Sequence, residues 1–227
     1  MMRRIGHWVR DYFYAGHRIV HAFIYRTPPQ HYLGYVRVGK APVIIIPGIY
    51  EKWNYLKPLA DVISRKGHPV YVVPRLAHNT RAIPASADIV RKLISEKDLK
   101  NVVLLAHSKG GIIGKYLLAF LNSDHRVRRL IAIASPFGGS FLAHIPLKGL
   151  GELRPGSEVL TRLDGRKDVN RDITSLFGAF DNHIWPASSC RLEGAENIQV
   201  DAHGHHAILA SPKTSEIVLR TIERISP

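Results

Sequence analysis

The residues best suited to chemistry lie in Ala106-His107-Ser108-Lys109-Gly110-Gly111. A serine here follows the apolar run Val102-Val103-Leu104-Leu105 and opens a mostly apolar helical stretch at 111–121. Strand, tight turn and helix is the setting that holds a serine hydroxyl out at the carboxyl edge of a sheet as a nucleophile. Such a turn strains the backbone, so its flanks must be small. Ala106 and Gly110 stand two residues to either side, an Ala-x-Ser-x-Gly variant of the usual pattern. A helix N-cap is the other ordinary use of a serine at such a place, and the strand-turn-helix context favours the nucleophile.

A serine hydroxyl is a weak nucleophile at neutral pH. It needs a base to take its proton, and the base needs an acid to orient it. Behind an elbow of this kind the partners follow in the order serine, acid, histidine. Asp181 directly follows the strand-like run 174–180 and is the best-placed carboxylate; Asp172 sits at the wrong end of that run, and Asp164 and Asp168 lie in irregular sequence. The next strand-like run, 197–200, is followed by His203, His205 and His206. Their pattern alone leaves the choice among the three open. An oxyanion needs two backbone N–H donors. One is expected from Lys109, the residue after the nucleophile. The other is expected from Ile49, in the loop Pro47-Gly48-Ile49-Tyr50.

The elements that must position these groups alternate along the chain. Strands are predicted at 43–46, 70–73, 102–105, 130–134, 173–180 and 197–200, and helices at 55–66, 85–97, 111–121 and 214–225. Val43-Ile44-Ile45-Ile46 is a continuous β-branched run, as in a strand buried on both faces. The alternation predicts an α/β fold with a mostly parallel sheet of about six strands and helices on both faces. Residues 31–227 read as one domain, with 137–172 as an irregular insertion outside the sheet. That insertion is too short for a large lid, so an exposed site is expected.

Residues 1–30 read as an N-terminal extension. Its apolar residues Ile5, Trp8, Val9, Tyr12, Phe13, Ile19, Val20, Phe23 and Ile24 recur mostly at three and four, and Arg3, Arg4, Arg10, Arg18 and His21 largely take other faces. Two expectations stand side by side: the apolar stripe packs on the domain, or it lies on an anionic membrane. Thr27-Pro28-Pro29 is expected to end the helix. Arg10, Asp11, His17 and Arg18 interrupt any signal-peptide apolar core. The expectation is therefore a cytoplasmic chain that can sit peripherally on a membrane.

Composition narrows the classes. The chain has 227 residues, 45% hydrophobic and 22% charged, which excludes disordered, collagenous and coiled-coil chains. Its single cysteine, Cys190, excludes an intrachain disulfide and a cysteine-based zinc cluster. No His or carboxylate is spaced to complete a tetrahedral site with the 203–206 histidines, so no metal is expected. Lys and Arg outnumber Asp and Glu by 32 to 18, a net charge of +14. Such a surface is drawn to anionic lipid or polymer. No nucleic-acid-binding signature accompanies it, and no nucleic-acid partner is expected.

From about residue 41 to 225 the sequence resembles the α/β-hydrolase superfamily, and within it the small bacterial lipases and esterases. Those enzymes also carry Ala-His-Ser-x-Gly at the elbow. Gly204-His205-His206-Ala207-Ile208-Leu209 matches the setting of their histidine, which selects His205. Ser135-Pro136-Phe137-Gly138-Gly139-Ser140 and Leu153-Arg154-Pro155-Gly156-Ser157 resemble further stretches of the family. Where the family has His-Gly after its first core strand, this chain has Pro47-Gly48. The resemblance implies a cofactor-free carboxylic-ester hydrolase with Ser108, His205 and Asp181 as its triad. Tyr50, Phe137, Trp185 and Ile208 are expected to form the wall for acyl chains of a small-molecule or lipid ester, with Ile49, Trp53 and Phe141 adding to it. Two alternatives stand beside hydrolysis. One is an acyltransferase using the same triad; the other is a non-catalytic binding protein on the same scaffold.

Overall fold

In the computed structural model the description covers residues 2–24 and 27–225; of residues 2–5, 7, 10 and 21–24 it covers the backbone only. Six strands form one sheet: β1 (Val43–Ile46), β2 (Val70–Val72), β3 (Val102–His107), β4 (Val127–Ile133), β5 (Ile173–Phe180) and β6 (Glu196–His203). All neighbours pair in parallel, in the order β2-β1-β3-β4-β5-β6. The helices are α1 (Met2–Ile24), α2 (His31–Gly34), α3 (Lys57–Arg65), α4 (Ile83–Glu96), α5 (Lys109–Phe120), α6 (Glu158–Asp164) and α7 (Pro212–Glu223).

The period-2 geometry of a strand sends alternate side chains to opposite faces. Ile44, Ile46, Leu104, Ala106, Leu130 and Ala132 pack on one face, against Ile83, Ala87 and Val90 of α4 and Ile112 and Ile113 of α5. Val43, Ile45, Val103, Leu105, Ile131 and Ile133 pack on the other, against Leu59 and Ile63 of α3 and Ile217, Val218 and Ile222 of α7. Both faces are covered, so the central strands need no polar alternation.

The chain steps from β1 outward to β2, then returns to lay β3 on the other side of β1. A crevice opens where strand order reverses in this way, at the carboxyl ends of the two strands. The loops after β1 and β3 meet there, and the loops after β5 and β6 open on the same edge. Among the described residues no segment forms a large lid. Residues 137–172 lie outside the sheet as short turns and α6.

The N-terminal helix sits otherwise than its apolar stripe suggests. Val9, Tyr12, Phe13, Ile19 and Val20 are exposed. The side turned to the domain carries Asp11, Tyr14, Ala15 and Arg18. Asp11 has no exposed surface, Tyr14 Oη donates to the Tyr55 carbonyl at 3.1 Å, and Asn54 Nδ2 donates to the Arg18 carbonyl at 2.5 Å. The expected packing of the stripe is thus reversed for the described side chains, because the domain surface beneath α1 offers N–H donors and an aromatic rim. The expectations for Ile5, Phe23, Ile24, Arg3, Arg4, Arg10 and His21 fall on side chains outside the description. Among the described residues no helix is long and apolar enough to cross a membrane.

Candidate active site

Ser108 stands between β3 and α5 with φ 52° and ψ −123°. A non-glycine residue in that region stores strain, which persists only where the surroundings fix it. Here Ser108 N–H donates to the Ile133 carbonyl at 2.9 Å, and its own carbonyl accepts Gly111 N–H at 3.0 Å. The small residues of the motif follow from how closely α5 approaches the sheet. A Cβ on Gly110 would lie 2.4 Å from the Ile46 carbonyl oxygen, and one on Gly111 would lie 2.0 Å from Ser135 Oγ.

Asp181 follows β5 directly. Its Oδ2 accepts from His205 Nδ1 at 2.8 Å, and its Oδ1 accepts the N–H groups of His183 and Ile184 at 2.7 and 2.9 Å. Burial pushes the Asp181 carboxyl up. The facing His205 ring, its hydrogen bond and the two N–H donors outweigh burial and hold the carboxyl below its ordinary value. Burial pushes His205 down; Asp181 opposes this, while His107 and His206 add to it, and the net shift is downward. A neutral imidazole with Nδ1 held by a carboxylate is what a general base requires.

Of the three histidines left open, His205 is the one brought to Asp181. His203 ends β6 with its ring 3.8 Å from Asp201. His206 turns away to Asp11 and Glu51. Asp172 precedes β5, Asp164 ends α6 and Asp168 pairs with Arg166 on the surface. Among the described residues the turn and loop hydrogen bonds include none from the Ile49 or Lys109 N–H. The Gly48 N–H is held by Glu51 Oε2 at 2.7 Å, and Tyr50 N–H by the His78 carbonyl at 2.7 Å, which fixes the loop on both sides of Ile49. The Lys109 side chain is buried and donates to the Asn79 and Arg81 carbonyls at 3.2 and 2.6 Å; burial pulls its ammonium down to about 8.

Ser108, His205, Ile49 and Tyr50 line a cavity of about 340 Å³. Its apolar wall comes largely from the insertion: Leu142, Ala143, Ile145, Leu147, Leu150 and Leu153. Ser108 is only 7% exposed and His205 3%. The expected exposed site is therefore recessed, because 137–172 builds its wall without forming a large lid. Tyr50 lines the cavity, and its hydroxyl donates to the Lys148 carbonyl at 2.7 Å. Phe137, Trp185 and Ile208 are not among the residues lining it. Ile208 is 1% exposed and packs in the sheet-face core. Phe137 faces a separate cleft with Lys115, and Trp185 points to solvent. Trp53 packs on the core and Phe141 is exposed.

Four groups at the site escaped sequence reasoning: Asp11, Glu51, His107 and His183. The clue for Asp11 was visible, as the single acid in a basic helix. His183 lines the cavity with its ring centroid 4.7 Å from that of His205, and burial together with His205 and His206 pulls it down to about 3. His183, His205 and His206 bring potential ligand atoms within 4.8 Å of one another. Both nitrogens of His206 already face carboxylates, and Nδ1 of His205 faces Asp181. The carboxylates therefore hold His206 at both nitrogens and orient His205 from one side.

No protein-family model matches the chain. Solved structures do resemble it. The mature form of the Bacillus licheniformis lipase BlEst2 aligns over 86% of this chain and 96% of its own, at 16% identity and a TM-score of 0.67. The α/β hydrolase MGS-MChE2, from the metagenome of Mar Chica lagoon sediments, aligns over 82% and 91%, at 17% identity and 0.61. Aspergillus fumigatus lipase B aligns over 88% of this chain and 56% of its own, at 18% identity and 0.67. With the parallel sheet and its strand order, these likenesses give the chain the α/β-hydrolase fold.

Proposed function

We propose that the protein is a serine carboxylic-ester hydrolase of the lipase or esterase kind. The observation that carries the reading is the Asp181–His205 hydrogen bond at 2.8 Å, on the same cavity as a serine held at φ 52°. In the proposed reaction Ser108 Oγ passes its proton to His205 Nε2 and attacks the ester carbonyl carbon. The carbonyl oxygen becomes an oxyanion that accepts from the Ile49 and Lys109 N–H groups. The tetrahedral species collapses as the C–O bond to the alcohol breaks, and His205 gives its proton to the leaving oxygen. A water then loses a proton to His205 and attacks the acyl-enzyme. A second collapse releases the carboxylic acid and returns the proton to Ser108. Asp181 keeps the His205 tautomer and stabilises the imidazolium formed in each half.

The cavity volume lies at the lower end of the range for small-molecule sites, and its wall is apolar. An acyl chain of short to medium length fits that wall. The exposed stripe of α1 and the +14 net charge further support peripheral contact with an anionic bilayer. Phe13→Glu should then weaken flotation with anionic vesicles; unchanged flotation would remove this part of the reading.

The direct test is hydrolysis of p-nitrophenyl esters with acyl chains of graded length by wild type and Ser108→Ala. Activity that peaks at shorter chains and disappears in the variant supports the reading. A folded wild type that cleaves none of them overturns it.

A further inference from the structure

Beside the Asp181–His205 pair lies a second buried Asp–His pair that the reaction above does not use. Asp11 belongs to α1, which is remote in sequence from every other part of the site. Its Oδ1 accepts the N–H groups of His206 and Ala207 at 2.7 and 2.9 Å. Its Oδ2 faces His206 Nδ1 at 3.1 Å. The other nitrogen of that ring, Nε2, lies 3.4 Å from Glu51 Oε1. Glu51 in turn accepts Gly48 N–H at 2.7 Å and lies 2.8 Å from His107 Nδ1. His107 Nε2 donates to the His205 carbonyl at 3.0 Å. Hydrogen bonds, joined at the 3.4 Å His206–Glu51 ion pair, thus run from α1 through the histidine turn to the oxyanion loop and the residue before the nucleophile, and return to the backbone of His205.

The turn lies hard against α1. Gly204 has φ +120°, and a Cβ there would stand 2.6 Å from Asp11 Oδ1. Both nitrogens of His206 face carboxylate oxygens, so the ring must donate from both for the two contacts to be hydrogen bonds. A buried imidazolium between two carboxylates is tolerated because each charge is paired.

We propose that Asp11 is a positioning residue for His205. It fixes the turn from which His205 reaches Asp181 and the cavity, and through His206 and Glu51 it ties that turn to the loop carrying the Ile49 N–H. The proposal rests on the serine-hydrolase reading for its kinetic arm only. The groups facing His206 are Asp11 from α1, Glu51 from the β1 loop, Tyr55 before α3, His107 from β3, His183 after β5 and its neighbour His205. The two carboxylates overcome burial and raise His206 to about 9.

The test compares wild type, Asp11→Ala and Asp11→Asn in the intact chain, by steady-state kinetics on a p-nitrophenyl ester and by amide hydrogen exchange. Misplacing a catalytic group by about 1 Å costs on the order of 100-fold, so Asp11→Ala should lower kcat roughly 10- to 100-fold with KM little changed. Exchange of the His206 and Ala207 amides should speed up in the same variant. Asp11→Asn keeps an acceptor oxygen for both N–H groups, so it should retain slow exchange and most of kcat at neutral pH. It removes one of the two carboxylates that hold the His206 proton. An alkaline limb of kcat/KM is expected in wild type where His206 loses its proton, near pH 9, and should move down in Asp11→Asn. Wild-type kcat and exchange in Asp11→Ala, or an Asp11→Asn pH profile superimposed on wild type, overturns the proposal. If Asp11→Ala does not fold, the Asp11→Asn profile decides alone. An inactive wild type would instead remove the hydrolase reading, and amide exchange in the two variants would still decide the role of Asp11.

Discussion

His205 and His206 are neighbours in the chain, and each sets Nδ1 against a buried aspartate, at 2.8 and 3.1 Å. They are driven in opposite directions. His205 lines the cavity, with other histidines around it, and is held below its ordinary value. His206 faces a second carboxylate, Glu51, and is held near 9. An aspartate partner orients both rings, and what stands at the far nitrogen decides the charge. The cavity side of the turn thereby favours a neutral ring, and the core side is an ionic tie.

Exchanging the two histidines for inert residues should separate these roles. His205→Ala should lower kcat by at least about 10⁴-fold, since the members of such a triad act as a unit, while thermal melting moves little. Asp181→Asn should follow with a loss on the order of 10⁴-fold, the effect of leaving the imidazole in the wrong tautomer; a loss below about tenfold would break the assignment of the acid. His206→Leu should act chiefly on stability. It leaves Asp11 buried without a cation, while Glu51 keeps His107, at a cost of about 3–5 kcal/mol, read as a fall in melting temperature of roughly 6–20 °C for a chain of this size.

The two signs also make a pH prediction. His206 is raised, so its contribution is complete below its unfolded value near 6.5 and is lost as pH rises through about 9. Asp11 and Glu51 are lowered, so theirs is complete above their ordinary values near 4 and is lost below them. His205 and His183 stay neutral in the fold while the unfolded chain takes up protons below about 6.5, which lowers stability on the acid side. Stability measured by denaturant should peak near pH 6.5, and the alkaline decline should flatten in His206→Leu. The acid limb of kcat/KM should lie below 6.5, because His205 must be neutral to act. The smallest effect belongs to Trp185→Ala, outside both regions: kcat/KM within about threefold of wild type is expected, and a larger loss would return that residue to the acyl wall.

How far all this was readable from the sequence differs between the two sides of the turn. Val43-Ile44-Ile45-Ile46 and its sister runs mark the sheet because burial on both faces writes itself as an unbroken apolar string. Ser108 is marked by a local demand, small residues where α5 meets β1. The edge strand β6, whose side chains are only partly buried, is read too short for the same reason in reverse: it runs from Glu196 to His203 rather than 197–200. Ile208 is expected at the cavity but turns into the core, since a residue directly after Ala207, whose N–H Asp11 holds, can turn inward as easily as outward. The ionic tie was illegible. It joins residues 56 to 195 positions apart, and no local period or spacing records such a meeting. Of the two expectations for the apolar stripe of α1, packing on the domain fails, because the buried side of that helix is set by polar contacts of Asp11, Tyr14 and Arg18.

The span between Asp11 and His206 also sets an order of events in time. The amides that Asp11 holds are made 195 and 196 positions after it. At about 5–20 residues per second, synthesis separates the two by roughly 10–40 s. Throughout that interval α1 has no use for its one acid. The contacts of α1 with Asn54 and Tyr55 can form early, whereas its tie to the histidine turn must wait until β6 has been made.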